Sequence, residues 1–153
     1  MEALLATAIL AMAIFAITMP FSTAAASEQL DGRQTLAAAL AQEMMEEILS
    51  KPFDDPQGAS TPGPETGETT RDKFDNIDDY HGYTETPGNI ADANGTVITG
   101  AAAAGLSRYV TAQYVYVSGQ PTGQPATFIR VVVEIRYNNT PLITLTRLVY
   151  KMP

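Results

Sequence analysis

The pattern of apolar and polar positions divides this chain into three regimes. The first is an uninterrupted apolar run. Ala3–Met19 reads ALLATAILAMAIFAITM, with Thr7 and Thr18 as its only polar side chains, and no charge appears between Glu2 and Glu28. A segment apolar on every side is not the one-sided stripe of a surface helix. In the second regime apolar residues recur with helical period. Leu36, Leu40, Met44 and Ile48 stand four apart, Ala37, Ala41, Met45 and Leu49 form the adjacent column, and Gln34, Gln42, Glu43, Glu46 and Glu47 fall largely elsewhere. That spacing predicts an amphipathic helix over Ser27–Ser50, softened at Gly32 and ended by Pro52. The third regime, after Leu106, has strand character. Ile129, Val131, Val133, Ile135 and Tyr137 alternate with Arg130, Glu134 and Arg136, flanked by strand-like runs at Tyr109–Val117 and Leu142–Tyr150. Asn138-Asn139 suits a tight hairpin turn, because asparagine tolerates positive φ.

Together these elements predict an α+β fold: a long kinked N-terminal helix packed on a small antiparallel β-sheet of about three strands. Four segments follow: residues 1–26 as an apolar transmembrane or filament-core helix, 27–51 as its amphipathic continuation, 52–106 as a loop-rich region, and 107–153 as the sheet. The loop region is punctuated by Asp55-Pro56, Pro62-Gly63-Pro64, Pro87-Gly88 and Asn94-Gly95, which favour turns and short elements. The sheet should receive the stripe Leu36, Leu40, Met44 and Ile48. Pro20 lies between the two helical regimes. It removes one helix hydrogen bond and clashes with the preceding turn, so a kink or a stop is expected there. A kink is favoured because helical patterning soon resumes.

Three readings of the apolar head compete. A helix retained in a membrane needs about 20 apolar residues, a length reached by extending through Pro20, Phe21 and Ala24–Ala26. A cleaved secretory signal would use Ala24-Ala25-Ala26 and leave a mature chain from Ser27, but such signals begin with a basic segment, whereas this one begins Met1-Glu2. A buried core helix fits worst, because the run lacks a polar face. Under the first reading Glu2 is an acid carried into apolar surroundings, which marks it as functional and in need of a partner. Alanines alternating with large residues also permit close helix–helix approach.

The 153 residues carry a net charge of -8 and no cysteine. The charge excludes a phosphate-binding basic surface and hence a nucleic-acid partner. The missing cysteine excludes disulfides and thiolate metal sites. Acids concentrate between Glu28 and Asp92, and Arg108, Arg130, Arg136, Arg147 and Lys151 make the C-terminal part mildly basic. The plain reading is two solvated faces; the sharper one is head-to-tail charge matching between subunits. His81 is the only histidine, and no P-loop, dinucleotide fingerprint or nucleophile elbow is present. No enzyme chemistry and no cofactor are therefore expected. Asp75, Asp78 and Asp79, with Asp72, are weak candidates for calcium ligands, since clustered aspartates supply oxygen donors, although their spacing does not match an EF-hand.

The segment Glu2-Ala3-Leu4-Leu5-Ala6-Thr7-Ala8-Ile9-Leu10-Ala11 resembles the N-terminus of the type IV pilin and type II secretion pseudopilin superfamily. The layout of apolar helix, proline, amphipathic helix, variable loop and antiparallel sheet is similar across the whole chain. The resemblance implies a non-enzymatic filament subunit, held in the inner membrane before assembly and found in a periplasmic or extracellular filament afterwards. It implies a prepilin peptidase, an assembly platform and N-terminal methylation. Its partners would be copies of itself or homologous pilins, and Glu2 matches the glutamate that pairs with a neighbouring subunit's terminal amine.

Overall fold

The computed structural model describes residues 2–56, 58, 61–121 and 126–151, and within the helix it leaves the side chains of residues 17, 20, 22, 23, 25 and 26 undescribed. Helix α1 (Glu2–Leu49) has 48 residues, about 70 Å at 1.5 Å per residue. It is followed by two short 3₁₀ turns, Arg71–Lys73 and Asp78–Tyr80, and by strands β1 (Thr84–Glu85), β2 (Leu106–Val115), β3 (Phe128–Tyr137) and β4 (Thr140–Tyr150). The strands form one antiparallel sheet in the order β1-β2-β3-β4.

The α+β expectation holds, with corrections. The sheet has four strands rather than about three. The extra strand, β1, is two residues long, too short to show alternation. It pairs Thr84 with Tyr109 and Glu85 with Arg108, and just before it Tyr83 accepts from the Val110 amide at 2.9 Å and Gly82 donates to the Val110 carbonyl at 3.0 Å. Helix α1 continues through Pro20, so the proline does not stop it; the seating of its ring lies outside the described side chains. Among the described residues no helix is long and apolar enough to cross a membrane. Both threonines turn inward on the helix, Thr7 donating to the Leu4 carbonyl and Thr18 to that of Ile14, each at 2.9 Å.

The core forms where α1 crosses the sheet. Ala37, Leu40, Ala41, Met44, Met45 and Ile48 are buried against Val110, Ala112, Ile129, Val131, Val133 and Ile135, with Leu36 packed at the margin. The predicted stripe thus faces the sheet, and β3 alternates as its sequence demands. The β3–β4 turn has φ of 49° at Asn138 and 65° at Asn139, the left-handed pair that a two-residue hairpin of this twist requires. A bulge between Ile135 and Arg136 places Pro141 on the edge strand, where a missing N–H is tolerated.

Candidate assembly surface and carboxylate clusters

Helix α1 has two distinct halves. From Leu36 onward one side belongs to the core. Before Arg33 none of the described side chains is buried: Leu5 is 67 %, Leu10 62 % and Phe15 68 % exposed. Glu2 stands in the first turn of this bare apolar rod, where a carboxylate also meets the positive end of the helix dipole. The boundary is marked by Arg33, whose guanidinium lies 3.9 Å from the Tyr137 ring centroid, an attraction between cation and aromatic face. The first turns therefore make no contribution to the globular core.

A second feature, invisible in the local pattern, ties the loop region to both helix and sheet. Arg108 lies on β2 in phase with Leu106 and Val110, so it points inward and is 0 % exposed. Its Nη1 sits 3.0 Å from Glu85 Oε2 on β1, and its Nη2 donates to the Ala91 carbonyl at 3.2 Å. Arg71 bridges onward, with Nη1 3.6 Å from Glu85, Nε donating to Glu47 Oε1 at 2.8 Å, and Nη2 also bonded to Glu47. Tyr80 donates to Glu47 at 2.7 Å and Tyr83 to Glu85 at 2.8 Å. Helix, loop and sheet meet in this chain of alternating charges.

The electrostatics follow from that geometry. Burial alone would raise the Glu47 carboxyl, but bonds from Arg71 and Tyr80 and the charges of Arg71 and Lys51 outweigh it and hold the group below its ordinary value. Arg71 is raised despite burial, because Glu47 stabilises its charge. Arg108 is lowered: burial disfavours its cation more than Glu85 restores it, and Arg71 repels it. Burial and the bond to Glu85 push the Tyr83 phenol up to about 12. Arg108, one of the basic residues that sequence alone would leave for intersubunit matching, is thus engaged inside the subunit.

A third cluster surrounds the second 3₁₀ turn. Asn76 Oδ1 accepts the amides of Asp78 and Asp79 at 2.8 and 3.1 Å, and Asp79 Oδ2 accepts those of Asp75 and Asn76 at 2.8 and 3.1 Å. Asp78 is buried beneath Tyr114, whose hydroxyl donates to its Oδ2. The weak metal candidates therefore separate. Asp78 is committed to Tyr114 and Asp75 lies half-buried at the loop start, while Asp72 sits on an exposed 3₁₀ turn. Among the described residues Asp79 alone of these joins a group of close donors, and its companions are Glu65 and Glu68, with one oxygen from each of the three within 4.8 Å of the others. A hairpin of backbone sets that pair, Glu68 donating to the Glu65 carbonyl at 3.1 Å and Glu65 donating to Glu68 Oε2 at 3.0 Å. Desolvation, a bond with Glu68 and the neighbouring charges of Asp55, Asp79 and Glu68 push the Glu65 carboxyl up to about 7. Burial likewise raises Asp78 and Asp79, although Tyr114 and the backbone amides partly offset it.

Neither the arginine chain nor the Glu65 group is announced by spacing, since the first joins residues far apart in sequence and the second adds the distant Asp79 to Glu65 and Glu68. The inward phase of Arg108 among Leu106, Val110 and Ala112 was the one legible sign. No protein-family model, curated protein or solved structure matches the chain.

Proposed function

We propose that the chain is a structural subunit of a filament of the type IV pilus or type II secretion pseudopilus kind, assembling through the first half of α1. The observation that carries this reading is a bare apolar rod, tipped by Glu2, that projects from a domain whose core it does not join. Exposed apolar surface of this extent marks an interaction site, and the alanines along it favour close packing of identical helices. Head-to-tail association of one surface with a different one builds open filaments rather than rings. Copies of the chain or homologous pilins are the partners, and Glu2 pairs with a neighbouring subunit's terminal amine, since a charge leaving water requires a counter-charge. Before assembly the apolar rod is shielded at the inner membrane; the globular part carries no enzyme chemistry in this scheme.

The absence of native cysteine supplies the test. Single cysteines at Leu5 or Leu10 should give oxidised dimers in cells producing the protein, and Glu2→Ala should remove those dimers and the filament while leaving monomer level unchanged. Filaments in normal yield from Glu2→Ala would refute the scheme.

A second reading has one observation in its favour: the core begins near Leu36, so a chain maturing at Ser27 keeps all of it. That product is a small secreted binding module. N-terminal sequencing of native material separates the two.

A further inference from the structure

We propose that the groove beside the arginine chain, between the end of α1, strand β1 and the turn at Asn94, binds a neutral oligosaccharide. The inference concerns the globular part alone and stands or falls independently of the filament.

The floor of the groove supplies the first argument. The groove encloses about 910 Å³, within the range of about 300–1,000 Å³ usual for sites that take a small molecule. Glu85, 7 % exposed, lies at its base beside Arg71. Arg71 Nη1 donates to the Asp92 carbonyl at 3.1 Å and faces Glu85 Oε1 across 3.6 Å, too far for a hydrogen bond. Tyr83 fills one acceptor position of that oxygen at 2.8 Å and leaves another. A hydroxyl seated over the gap accepts from Arg71 and donates to Glu85, because one hydroxyl oxygen is both donor and acceptor. Bonds to charged groups are the strong ones, and a sugar hydroxyl takes the place of a bridging water without losing either.

Charge and lining give the second argument. Glu47, Asp72 and Glu85 are balanced by Lys51, Arg71 and, behind Glu85, Arg108. A wall so balanced has no net field to draw an ion, so the ligand is neutral. Along the rim Thr69, Thr84 and Asn94 are exposed, and their side chains make no hydrogen bond among the described residues. Each can donate and accept, which matches a ligand that offers the same pairing on every ring. A lipid or an apolar peptide would need hydrophobic anchors, and among the described residues that line the groove Val97 is the one aliphatic side chain larger than alanine. The three rim groups come from three separate segments, which suits several linked rings better than one.

The experiment uses the full chain in a mild non-ionic detergent of the polyoxyethylene type, which carries no sugar headgroup. The probes are maltotetraose, cellotetraose, xylotetraose and chitotetraose, with tetragalacturonate as the charged control and tetra-alanine as the peptide control. At least one neutral tetrasaccharide should bind saturably by calorimetry and show saturation transfer in NMR, and the two controls should not. Thr69→Val, Thr84→Val and Asn94→Ala, each with an unchanged thermal midpoint, should weaken that binding about fivefold apiece, as the loss of one hydrogen bond implies. The triple variant should lose about a hundredfold if the three act independently. Thr146→Val, exposed on the opposite face of the sheet, should leave binding unchanged. Absence of binding to all four neutral probes overturns the proposal. So does binding that the triple variant retains in full, because the ligand would then sit elsewhere, and so does a preference for tetragalacturonate or tetra-alanine.

Discussion

Replacing Glu85 by glutamine tests whether the loop is held to the sheet by charge. The substitution keeps the shape and an acceptor for Tyr83, but removes the anion facing Arg108. That guanidinium has no exposure, lies 3.0 Å from Glu85 Oε2, and otherwise donates to the Ala91 carbonyl. It is already under-compensated, since burial lowers its pKa in spite of Glu85. Breaking a buried ion pair from one side costs about 3–5 kcal/mol. At about 2–4 °C per kcal/mol for a chain of this length, the midpoint should fall by roughly 10 °C. The opposite single change, Arg108→Met, should cost less, because Glu85 retains Arg71 at 3.6 Å and Tyr83 at 2.8 Å. The double variant should recover much of the loss, as apolar replacement of a buried pair is often near neutral. Thermal and urea unfolding of all four proteins, followed by circular dichroism in the same detergent, completes a double-mutant cycle. A Glu85→Gln cost below about 1 kcal/mol, or a double variant as unstable as the sum of the singles, would refute the claim that this pair anchors the loop.

Three further outcomes follow from the same structure. Met44→Ala, at a fully buried site between helix and sheet, should cost about 2–5 kcal/mol in urea unfolding, whereas Leu10→Ala should leave folding unchanged and reduce assembly. Gly105→Ala should destabilise by at least about 1 kcal/mol: its φ is +79°, and an added Cβ would meet Asn138 Oδ1 at 2.8 Å and Tyr137 Cε2 at 2.9 Å, prying open the β3–β4 turn. Two of the displaced carboxyls, Glu47 and Glu65, give opposite pH trends. Glu47, held below its ordinary 4.5, contributes stability that is complete above that value and lost as pH falls through its folded value. Glu65, raised from 4.5 to about 7, contributes stability that is complete below 4.5 and lost as pH rises toward 7. Melting followed against pH should show both limbs, with Glu47→Gln diminishing the acid one and Glu65→Gln the other, to which the raised Asp78 and Asp79 also contribute.

Legibility in the sequence followed the range of the interaction. The four-residue spacing from Leu36 to Ile48 located the helix face that meets the sheet, because neighbours on a helix face are three or four residues apart. Alternation in β3 named the buried row Ile129, Val131, Val133 and Ile135 correctly, and Asn138-Asn139 gave the turn. Strand β1 escaped because two residues carry no period; its partners are Tyr109 and Arg108, more than twenty positions away. Adjacency groups Asp75, Asp78 and Asp79, yet a turn of backbone sends neighbouring carboxylates to different places, Asp78 to Tyr114 and Asp79 toward Glu65 and Glu68.

By itself the order of residues determined the helix, its buried stripe, the strands β2 to β4 and the bareness of the first turns, since each depends on contacts between near neighbours or on plain apolarity. Only the folded chain decided which charges are spent internally. Glu47, Arg71, Glu85 and Arg108 become partners, and Glu65, Glu68 and Asp79 become a cluster, because packing α1 on the sheet forces the long loop into the narrow space beside it. Buried there, Arg108 must find a counter-charge, and which one lies within reach is a property of the assembled shape.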